Sequence, residues 1–266
     1  MKIGFIGAGA MAEALVGGII ENNLAVPSDV FLSDHKEQRC QYLVDKYQVK
    51  AFVGAASFLA DVDVLFLTIK PQVAKTAIEE IYEQVPEKTI VVSVVAGLAT
   101  EVLEQYFLKQ PVIRVMPNTP VSVGEGMSAL ALGKNATAAD SKVIENLFGA
   151  VGKALVVKES AMDAVTGLSG SGPGYAFVMI DALADAGVQA GLPRQDAITL
   201  AAQTLLGAAK MVLTTKEHPA VLRDKVTSPA GTTIAGIRVL EQRAVRAALI
   251  DAVQAAVDKS KAMGKK

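Results

Sequence analysis

The chain has 266 residues, with 26 lysines and arginines against 27 aspartates and glutamates and a net charge of −1. This length allows one large domain or two smaller ones, and the balanced charge predicts no nucleic-acid partner and no anionic membrane surface. The single cysteine, Cys40, excludes an internal disulfide framework and a multi-cysteine metal site and favours a cytoplasmic location. With only two histidines, His35 and His218, we expect no metal site and no chemistry built mainly on histidine.

The first predicted element is a short apolar strand over residues 2–6, which ends in the glycine-rich stretch 7–12 and is followed by a helix. The segment superficially resembles a signal peptide, but Glu13 interrupts the apolar run and the glycines have the spacing of a turn. No uncharged apolar stretch along the chain reaches the length needed to cross a bilayer. We therefore expect the N-terminal segment to be part of the fold, and we expect no membrane partner.

Further apolar strands rich in valine and isoleucine follow, mostly separated by helical segments, at residues 30–34, 49–53, 63–69, 89–95 and 112–116. Such strands alternating with amphipathic helices predict a parallel sheet that is covered by helices on both faces. The predicted fold class is therefore α/β, with an N-terminal doubly wound sheet of the Rossmann type.

The glycine-rich turn has the context of a dinucleotide site, because a strand precedes it, a helix follows, and Asp34 closes the second strand 22 residues after Ala12. Gly7 would permit the tight turn, and Gly9 would let the backbone approach a pyrophosphate at the helix start. Asp34 would suit the unphosphorylated ribose of NADH.

Other residues of the same loop favour the phosphorylated cofactor. Ser33, His35, Lys36 and Arg39 could surround the 2′-phosphate of NADPH. The two signals conflict, so both cofactors stay open, with NADPH slightly preferred. Further cofactor contacts are expected from the loops 68–72, 95–97 and 116–120, because open sheets bind ligands at the carboxyl ends of their strands.

The sheet is predicted to continue with strands at 127–133 and 153–157 and a helix at 140–152, and the domain boundary is placed near residue 160. This gives a nucleotide-binding domain over residues 1–160 and a helical domain over residues 161–266. Between Asp196 and Leu213 only five positions are polar, so this helix must be buried on more than one side. We expect a partner subunit to cover it, which predicts a homodimer at least; the alternative is a tightly packed monomeric bundle.

Two stretches rich in glycine, serine and proline lead into helices of the second half, at residues 167–174 and 227–233. Each would offer N–H groups and hydroxyls to an anion, although for an isolated stretch of this kind ordinary helix capping is the preferred explanation. The second stretch, TSPAGTT, contains no acid, histidine, cysteine or lysine.

Together, several motifs resemble those of the pyrroline-5-carboxylate reductase family over nearly the whole chain. They read FIGAGAMAEAL, IKPQ, VVAG, RVMPNTP, GLSGSGPGY and HPAVLRDKVTSPAGTTIAG, and the last is far more specific than the glycine-rich turn. The resemblance implies reduction of L-1-pyrroline-5-carboxylate to L-proline by NADPH or NADH, the last step of proline biosynthesis, in a homodimer or an assembly of dimers.

The resemblance also implies roles for the matching positions. The cofactor-binding residues would be Gly7, Gly9, Ala10, Met11, Ser33, Asp34, Lys36, Ile69, Lys70, Pro71, Ala96, Gly97 and Asn118. The substrate carboxylate would be bound by Ser228, Gly231, Thr232 and Thr233. Thr233 would be the catalytic residue, because its hydroxyl would meet the ring nitrogen.

Two positions depart from the family pattern. Ala230 stands where the family usually has glycine, and alanine would be strained there if the backbone requires a positive φ. Ala55 replaces an asparagine that relatives often carry near the adenine.

Two other functions are compatible with parts of the chain. A β-hydroxyacid dehydrogenase would need a lysine acid-base in the helical half, and Lys210 and Lys225 are the nearest candidates. A nucleotide-sensing module without catalysis would leave residues 227–233 unexplained except as a cap.

Overall fold

The computed structural model describes residues 1–54 and 57–264, so Ala55 lies outside the described residues. One sheet of eight strands has the order β3-β2-β1-β4-β5-β6-β7-β8. The strands are β1 Ile3–Ile6, β2 Val30–Ser33, β3 Lys50–Phe52, β4 Val64–Leu67, β5 Ile90–Ser93, β6 Val112–Met116, β7 Gly126–Leu132 and β8 Gly152–Val156.

Four of these strands (β1, β2, β4 and β5) are buried at every position, which explains why their sequences are continuous apolar runs with little alternation. Two hydrophobic clusters cover the two faces, one including Phe5 and Phe66 and the other including Phe58 and Phe107. The helices that accompany the sheet are α1 Ala10–Glu21, α2 Glu37–Tyr47, α3 Pro71–Ile81, α4 Thr100–Leu103, α5 Ala138–Gly149 and α6 Met162–Val165. The α/β fold class with a doubly wound sheet is confirmed.

The strand β7 runs antiparallel to β6, whereas the other paired strands are parallel. The parallel arrangement predicted for the strands up to residue 116 is confirmed, and β7 and β8, which are parallel to each other, run opposite to β1–β6. The reason is the connection, because only residues 117–125, with one 3₁₀ helix, separate β6 from β7. A parallel crossover needs a dozen or more residues.

The chain divides into two compact units, Met1–Ser171 with Ala256–Lys266, and Gly172–Ala255. The sequence predicts a domain boundary near residue 160, because the predicted strands end there. This boundary stays a prediction. Residues 161–170 consist of the end of a 3₁₀ helix, the short α6 and a π-helical turn, Thr166–Gly170.

The remaining helices are α7 Gly172–Gln189, α8 Arg194–Thr215, α9 Pro219–Lys225, α10 Thr232–Gln242 and α11 Val245–Met263. In the second unit, α7 packs against α8 through small residues, including Ala184, Ala197 and Ala201. Large apolar side chains of the same unit are exposed in the single chain, for example Val178 at 71% and Leu213 at 60%. Such an exposed apolar surface is typical of a subunit interface.

By length and composition, α8 could also cross a membrane, and only 11% of its most apolar window is buried in the chain. A helix of this kind is weak evidence for a membrane span, because an apolar helix covered by another subunit has the same composition.

Candidate active site

The strand order reverses direction between β1 and β4, and ligands of open α/β sheets bind at such a point. At the carboxyl end of β1, Gly7 has φ +94° and its N–H donates to the carbonyl of Ser33 at 2.9 Å. A Cβ on Gly7 would lie 2.7 Å from the carbonyl oxygen of Thr68. Glycine is therefore required both by the backbone conformation and by the close approach of β4.

Gly9 is a different kind of position, because a Cβ added there would meet no atom within 4 Å. It is the N-cap of α1, and no side chain caps the helix. The first N–H groups of α1 therefore have no partner within the helix and face open space above Gly9. Backbone N–H groups at a helix start bind phosphate, so this cradle fits the pyrophosphate of a dinucleotide.

The carboxylate of Asp34 joins the glycine-rich turn to the loop after β2. It accepts a hydrogen bond from the backbone N–H of Ala8 at 3.0 Å and from the N–H of Lys36 at 3.0 Å. His35 lies beside it, with Nδ1 3.2 Å from the carboxylate and a side chain that is 84% exposed. Ser33, the last residue of β2, is buried, with 5% of its surface exposed, and its contact with the ribose stays a prediction.

Arg39 is held by the glycine-rich turn as well. Its Nε donates to the carbonyl oxygen of Ala8 at 2.6 Å, and its guanidinium pairs with Glu13 of α1. The Glu13 carboxylate also accepts from Lys46 at 2.8 Å and from Tyr42 at 3.0 Å. Partial burial alone would raise the pKa of Glu13, but the bonds from Lys46, Arg39 and Tyr42 outweigh it and lower the pKa to about 2. The cluster stays charged at neutral pH and ties α1 to α2.

The loops that follow β4 and β5 leave backbone groups open to a ligand. After β4, the Thr68 hydroxyl donates to the Gly7 carbonyl at 2.6 Å, and α3 begins at Pro71 with no side-chain cap. After β5, Ala96 is half-buried, and Gly97 has φ +78° with no atom within 4 Å of an added Cβ.

Asn118 follows β6, and both the nitrogen and the oxygen of its side-chain amide form hydrogen bonds. Its Nδ2 donates to the carbonyl of Ser169 at 3.0 Å, and its Oδ1 accepts from the N–H of Met127 at 2.9 Å. The side chain thus joins the start of β7 to the π-helical turn Thr166–Gly170, whose characteristic bond runs from the N–H of Ser171 to the carbonyl of Thr166 at 2.8 Å. Turns of this kind are frequent at functional sites.

In the second unit, residues 228–231 form a tight turn that precedes α10. The N–H of Gly231 donates to the carbonyl of Ser228 at 3.0 Å, and Ala230 has φ +56°. A Cβ on Gly231 would lie 2.3 Å from Oγ of Ser228. The helix starts without a side-chain cap, and Thr232 and Thr233 are exposed. The turn therefore presents a helix start with free N–H groups and a hydroxyl, which suits a carboxylate.

The predicted cofactor residues all belong to the first unit, at or next to the carboxyl ends of β1, β2, β4, β5 and β6, and the predicted substrate residues belong to the second. Sequence reasoning missed the bond from Arg39 to the glycine-rich turn and the two bonds of Asn118. No sequence pattern signals these bonds, because each joins a side chain to a backbone group that only the fold brings beside it. Lys225, a candidate acid-base of the alternative dehydrogenase, is paired with Glu217 at 2.6 Å.

Two family models match the chain. The model described as pyrroline-5-carboxylate reductase dimerisation matches residues 159–263, and the model described as NADP oxidoreductase, coenzyme F420-dependent, matches residues 2–97. The two matches lie on either side of residues 98–158.

Relatives extend the similarity to the full length. A pyrroline-5-carboxylate reductase of Arabidopsis thaliana is 46% identical, with 98% of this chain and 94% of that protein covered. One of Methanosarcina acetivorans is 45% identical, with 100% of this chain and 98% of that protein covered.

Solved structures agree with these relatives. A pyrroline-5-carboxylate reductase from Coxiella burnetii has a TM-score of 0.93 at 33% identity, covering 100% of this chain and 99% of that one. A pyrroline carboxylate reductase of Plasmodium falciparum, solved with NADP bound, has a TM-score of 0.87 at 31% identity, covering 99% of this chain and 98% of that one.

Proposed function

Since the chain belongs to the pyrroline-5-carboxylate reductase family, we propose that it reduces L-1-pyrroline-5-carboxylate to L-proline with NAD(P)H. This is an oxidoreductase reaction on a C=N bond and the last step of proline biosynthesis. The observation that carries the proposal is the uncapped start of α10 behind the turn 228–231, because it offers a carboxylate-binding group in a segment, residues 227–236, that contains no acidic or basic side chain.

The cofactor would be held by the first unit. The N–H groups at the start of α1 and the open backbone at Gly9 would take the pyrophosphate, with Ala10 and Met11 in the first turn. Ile69, Lys70, Pro71, Ala96 and Gly97 would follow the rest of the molecule towards the nicotinamide. When bound, the reduced nicotinamide supplies the hydride that C5 of the substrate accepts. Asn118 would act indirectly, through the backbone that its amide holds.

The second unit would bind the substrate carboxylate. Ser228 would supply a hydroxyl, and Thr232 and Thr233 would supply N–H groups at the helix start. Gly231 would let the Ser228 hydroxyl approach, because a Cβ at that position would lie 2.3 Å from Oγ of Ser228. The carboxylate stays charged throughout the reaction, so the fixed dipoles of a helix start suit it in every state. Holding the ring by this group orients C5, and orientation of this kind lowers a barrier by several kcal/mol.

The reaction explains why the turn contains no acid. A cyclic imine is already polarised and, once protonated, accepts hydride without a protein nucleophile. The hydroxyl of Thr233 would bond to the ring nitrogen as it changes from iminium to amine, and losing one such bond typically costs about 1 to 3 kcal/mol.

The choice between NADPH and NADH would be made in the loop after β2. Arg39 is already bonded to the Ala8 carbonyl and to Glu13, so His35 and Lys36, both exposed, are the groups that remain for a 2′-phosphate. The Asp34 carboxylate accepts hydrogen bonds from the N–H groups of Ala8 and Lys36 and so stabilises the loop. We therefore favour use of both cofactors, with NADPH preferred.

The chain forms a homo-oligomer, because it carries the family's dimerisation domain. We propose a dimer or an assembly of dimers in the cytoplasm, in which the exposed apolar side chains of α7 and α8 are covered by a second subunit. Sedimentation of the purified chain measures the state directly, and a monomer would contradict this assembly.

The test is to follow nicotinamide absorbance with pyrroline-5-carboxylate, using each cofactor in turn. Thr233→Ala should lower kcat by about 5- to 100-fold, the equivalent of one lost hydrogen bond, and leave the Kd for NADPH unchanged. Thr233→Ser keeps the hydroxyl and should retain most of the rate. A native chain without turnover would refute the activity, and an unchanged rate in Thr233→Ala would refute the role of that hydroxyl.

A further inference from the structure

The glycine-rich turn after β1 is held in place by side chains from three other segments of the first unit. Thr68, which follows β4, donates its hydroxyl to the Gly7 carbonyl at 2.6 Å, and the same hydroxyl lies 3.0 Å from the carbonyl oxygen of Ile6. The next N–H, that of Ala8, donates to the carboxylate of Asp34 at 3.0 Å. The peptide group between Gly7 and Ala8 is therefore fixed at both its oxygen and its nitrogen.

Arg39 of α2 fixes the peptide group that follows. Its Nε donates to the Ala8 carbonyl at 2.6 Å, and its Nη2 lies 3.5 Å from the carbonyl oxygen of Gly9. Because the C=O and N–H of a planar trans peptide point in opposite directions, the bond to Ala8 also sets the direction of the Gly9 N–H. Among the described residues this N–H has no hydrogen-bond partner, and an added Cβ on Gly9 would meet no atom within 4 Å. The N–H is therefore available to a ligand.

Arg39 is itself held on several sides. Besides the carbonyl of Ala8, its guanidinium pairs with the Glu13 carboxylate, and its central carbon lies 4.9 Å from the centre of the Tyr42 ring. The side chain is 27% exposed. To bind a 2′-phosphate, the guanidinium would have to leave these partners. Held as it is, Arg39 acts on a bound dinucleotide through the backbone that it fixes.

We propose that Arg39 and Thr68 are positioning residues for the pyrophosphate of the cofactor, because they hold the backbone of residues 7–9 with the Gly9 N–H directed at the ligand. The inference rests on the proposed function, which makes NAD(P)H the ligand of this turn. If the turn adopts the competent conformation only part of the time, the Kd rises by the inverse of that fraction. The factor is the same for NADPH and NADH, since both carry the same pyrophosphate, whereas loss of a 2′-phosphate ligand weakens NADPH alone.

The first test removes the Thr68 hydroxyl and measures binding without turnover. Thr68→Val has nearly the same shape and should raise the Kd for NADPH and the Kd for NADH about three- to tenfold each, the range of one neutral hydrogen bond. Thr68→Ser keeps the donor and should restore the native values. A Thr68→Ser variant that binds as weakly as Thr68→Val would overturn the role of the hydroxyl.

The second test uses two cations that share one carboxylate. Arg39 and Lys46 both pair with Glu13, but only Arg39 also bonds to the glycine-rich turn. Arg39→Met should raise both Kd values at least fivefold and by the same factor. Lys46→Met makes the same change of net charge and should leave both values within twofold of native. A loss confined to NADPH in Arg39→Met, or an equal loss in Lys46→Met, would overturn the proposal.

The third test measures the turn in the cofactor-free chain by amide hydrogen exchange. The Ala8 N–H, which is bonded to Asp34, should exchange at least threefold faster in Thr68→Val and in Arg39→Met than in the native chain or in Lys46→Met. Chemical denaturation of the same variants separates this local opening from global unfolding. Native exchange rates in variants that bind weakly would contradict the positioning role, because the loss would then come from a direct contact.

The outcomes also distinguish the two proposals. A native chain that binds NADPH but does not turn over pyrroline-5-carboxylate would refute the proposed function alone, because the Kd values test this inference without turnover. Native turnover combined with equal cofactor binding by Arg39→Met and Lys46→Met would refute this inference alone.

Discussion

Two glycines of the same turn, Gly7 and Gly9, are expected to respond to alanine in opposite ways. At Gly7 the backbone has φ +94°, and an added Cβ would lie 2.7 Å from the carbonyl oxygen of Thr68. At Gly9 the backbone has φ −71°, and an added Cβ would meet nothing within 4 Å. Gly7→Ala is therefore expected to destabilise the fold. In Gly9→Ala the added methyl group would occupy only the space that a pyrophosphate would use.

The structure gives rough magnitudes for both variants. Strain of about 1 to 3 kcal/mol at the positive φ of Gly7, together with the clash against backbone, predicts a loss of about 2 to 4 kcal/mol in the free energy of unfolding. Gly9→Ala should change that free energy by less than about 0.5 kcal/mol. It should nevertheless raise the Kd for NADPH about 10- to 100-fold, because one N–H bond to a charged phosphate is worth about 1.5 to 3 kcal/mol.

The assays are chemical denaturation without cofactor and a fluorescence titration with NADPH, run on both variants and the native chain. Full stability with weak binding in Gly9→Ala, beside low stability in Gly7→Ala, is the expected pair of results. Native affinity in a stable Gly9→Ala variant would refute the placement of the pyrophosphate at this helix start.

Three further predictions concern stability and cofactor choice. Ala230→Gly should raise the free energy of unfolding by about 0.5 to 1 kcal/mol, because φ +56° strains alanine more than glycine loses in chain entropy; equal or lower stability on denaturation would show that the turn carries no strain. The pKa of Glu13 is lowered to about 2 from an ordinary 4.5, so its contribution to stability is present above pH 4.5 and is lost as the pH falls towards 2. The native Tm should therefore fall more steeply over that interval than the Tm of Glu13→Gln, and parallel curves would contradict the charge cluster. Asp34→Ser removes a negative charge beside a 2′-phosphate and should raise the ratio of kcat/KM for NADPH over NADH on the order of fivefold; an unchanged ratio would assign the preference to His35 and Lys36.

Much of the fold was readable in the sequence because the signals are local. Each predicted strand of the sheet corresponds to an observed one, since a strand buried on both faces must be a continuous apolar run. The helix predicted around Asp196 to Leu213 is observed as α8, Arg194–Thr215, because Pro193 and the polar residues after Thr215 bound it. The family could be identified for a different reason, because the sequence of residues 218–236 is by itself far more specific to the family than the glycine-rich turn.

Tertiary structure decided what depends on contacts between distant residues. That Asp34, Arg39 and Asn118 contact a cofactor stays a prediction from the sequence, and the fold adds the hydrogen bonds that each side chain makes to backbone groups of neighbouring loops. The sequence of the C-terminal helix α11 gives no sign of its contacts, and only the fold shows that Ser260 donates a hydrogen bond to Asp163, 97 residues away in the chain. A residue's type and its neighbours in the chain determine which chemistry it could perform. Which group it meets is determined by packing across tens of residues, and that information exists only in the folded chain.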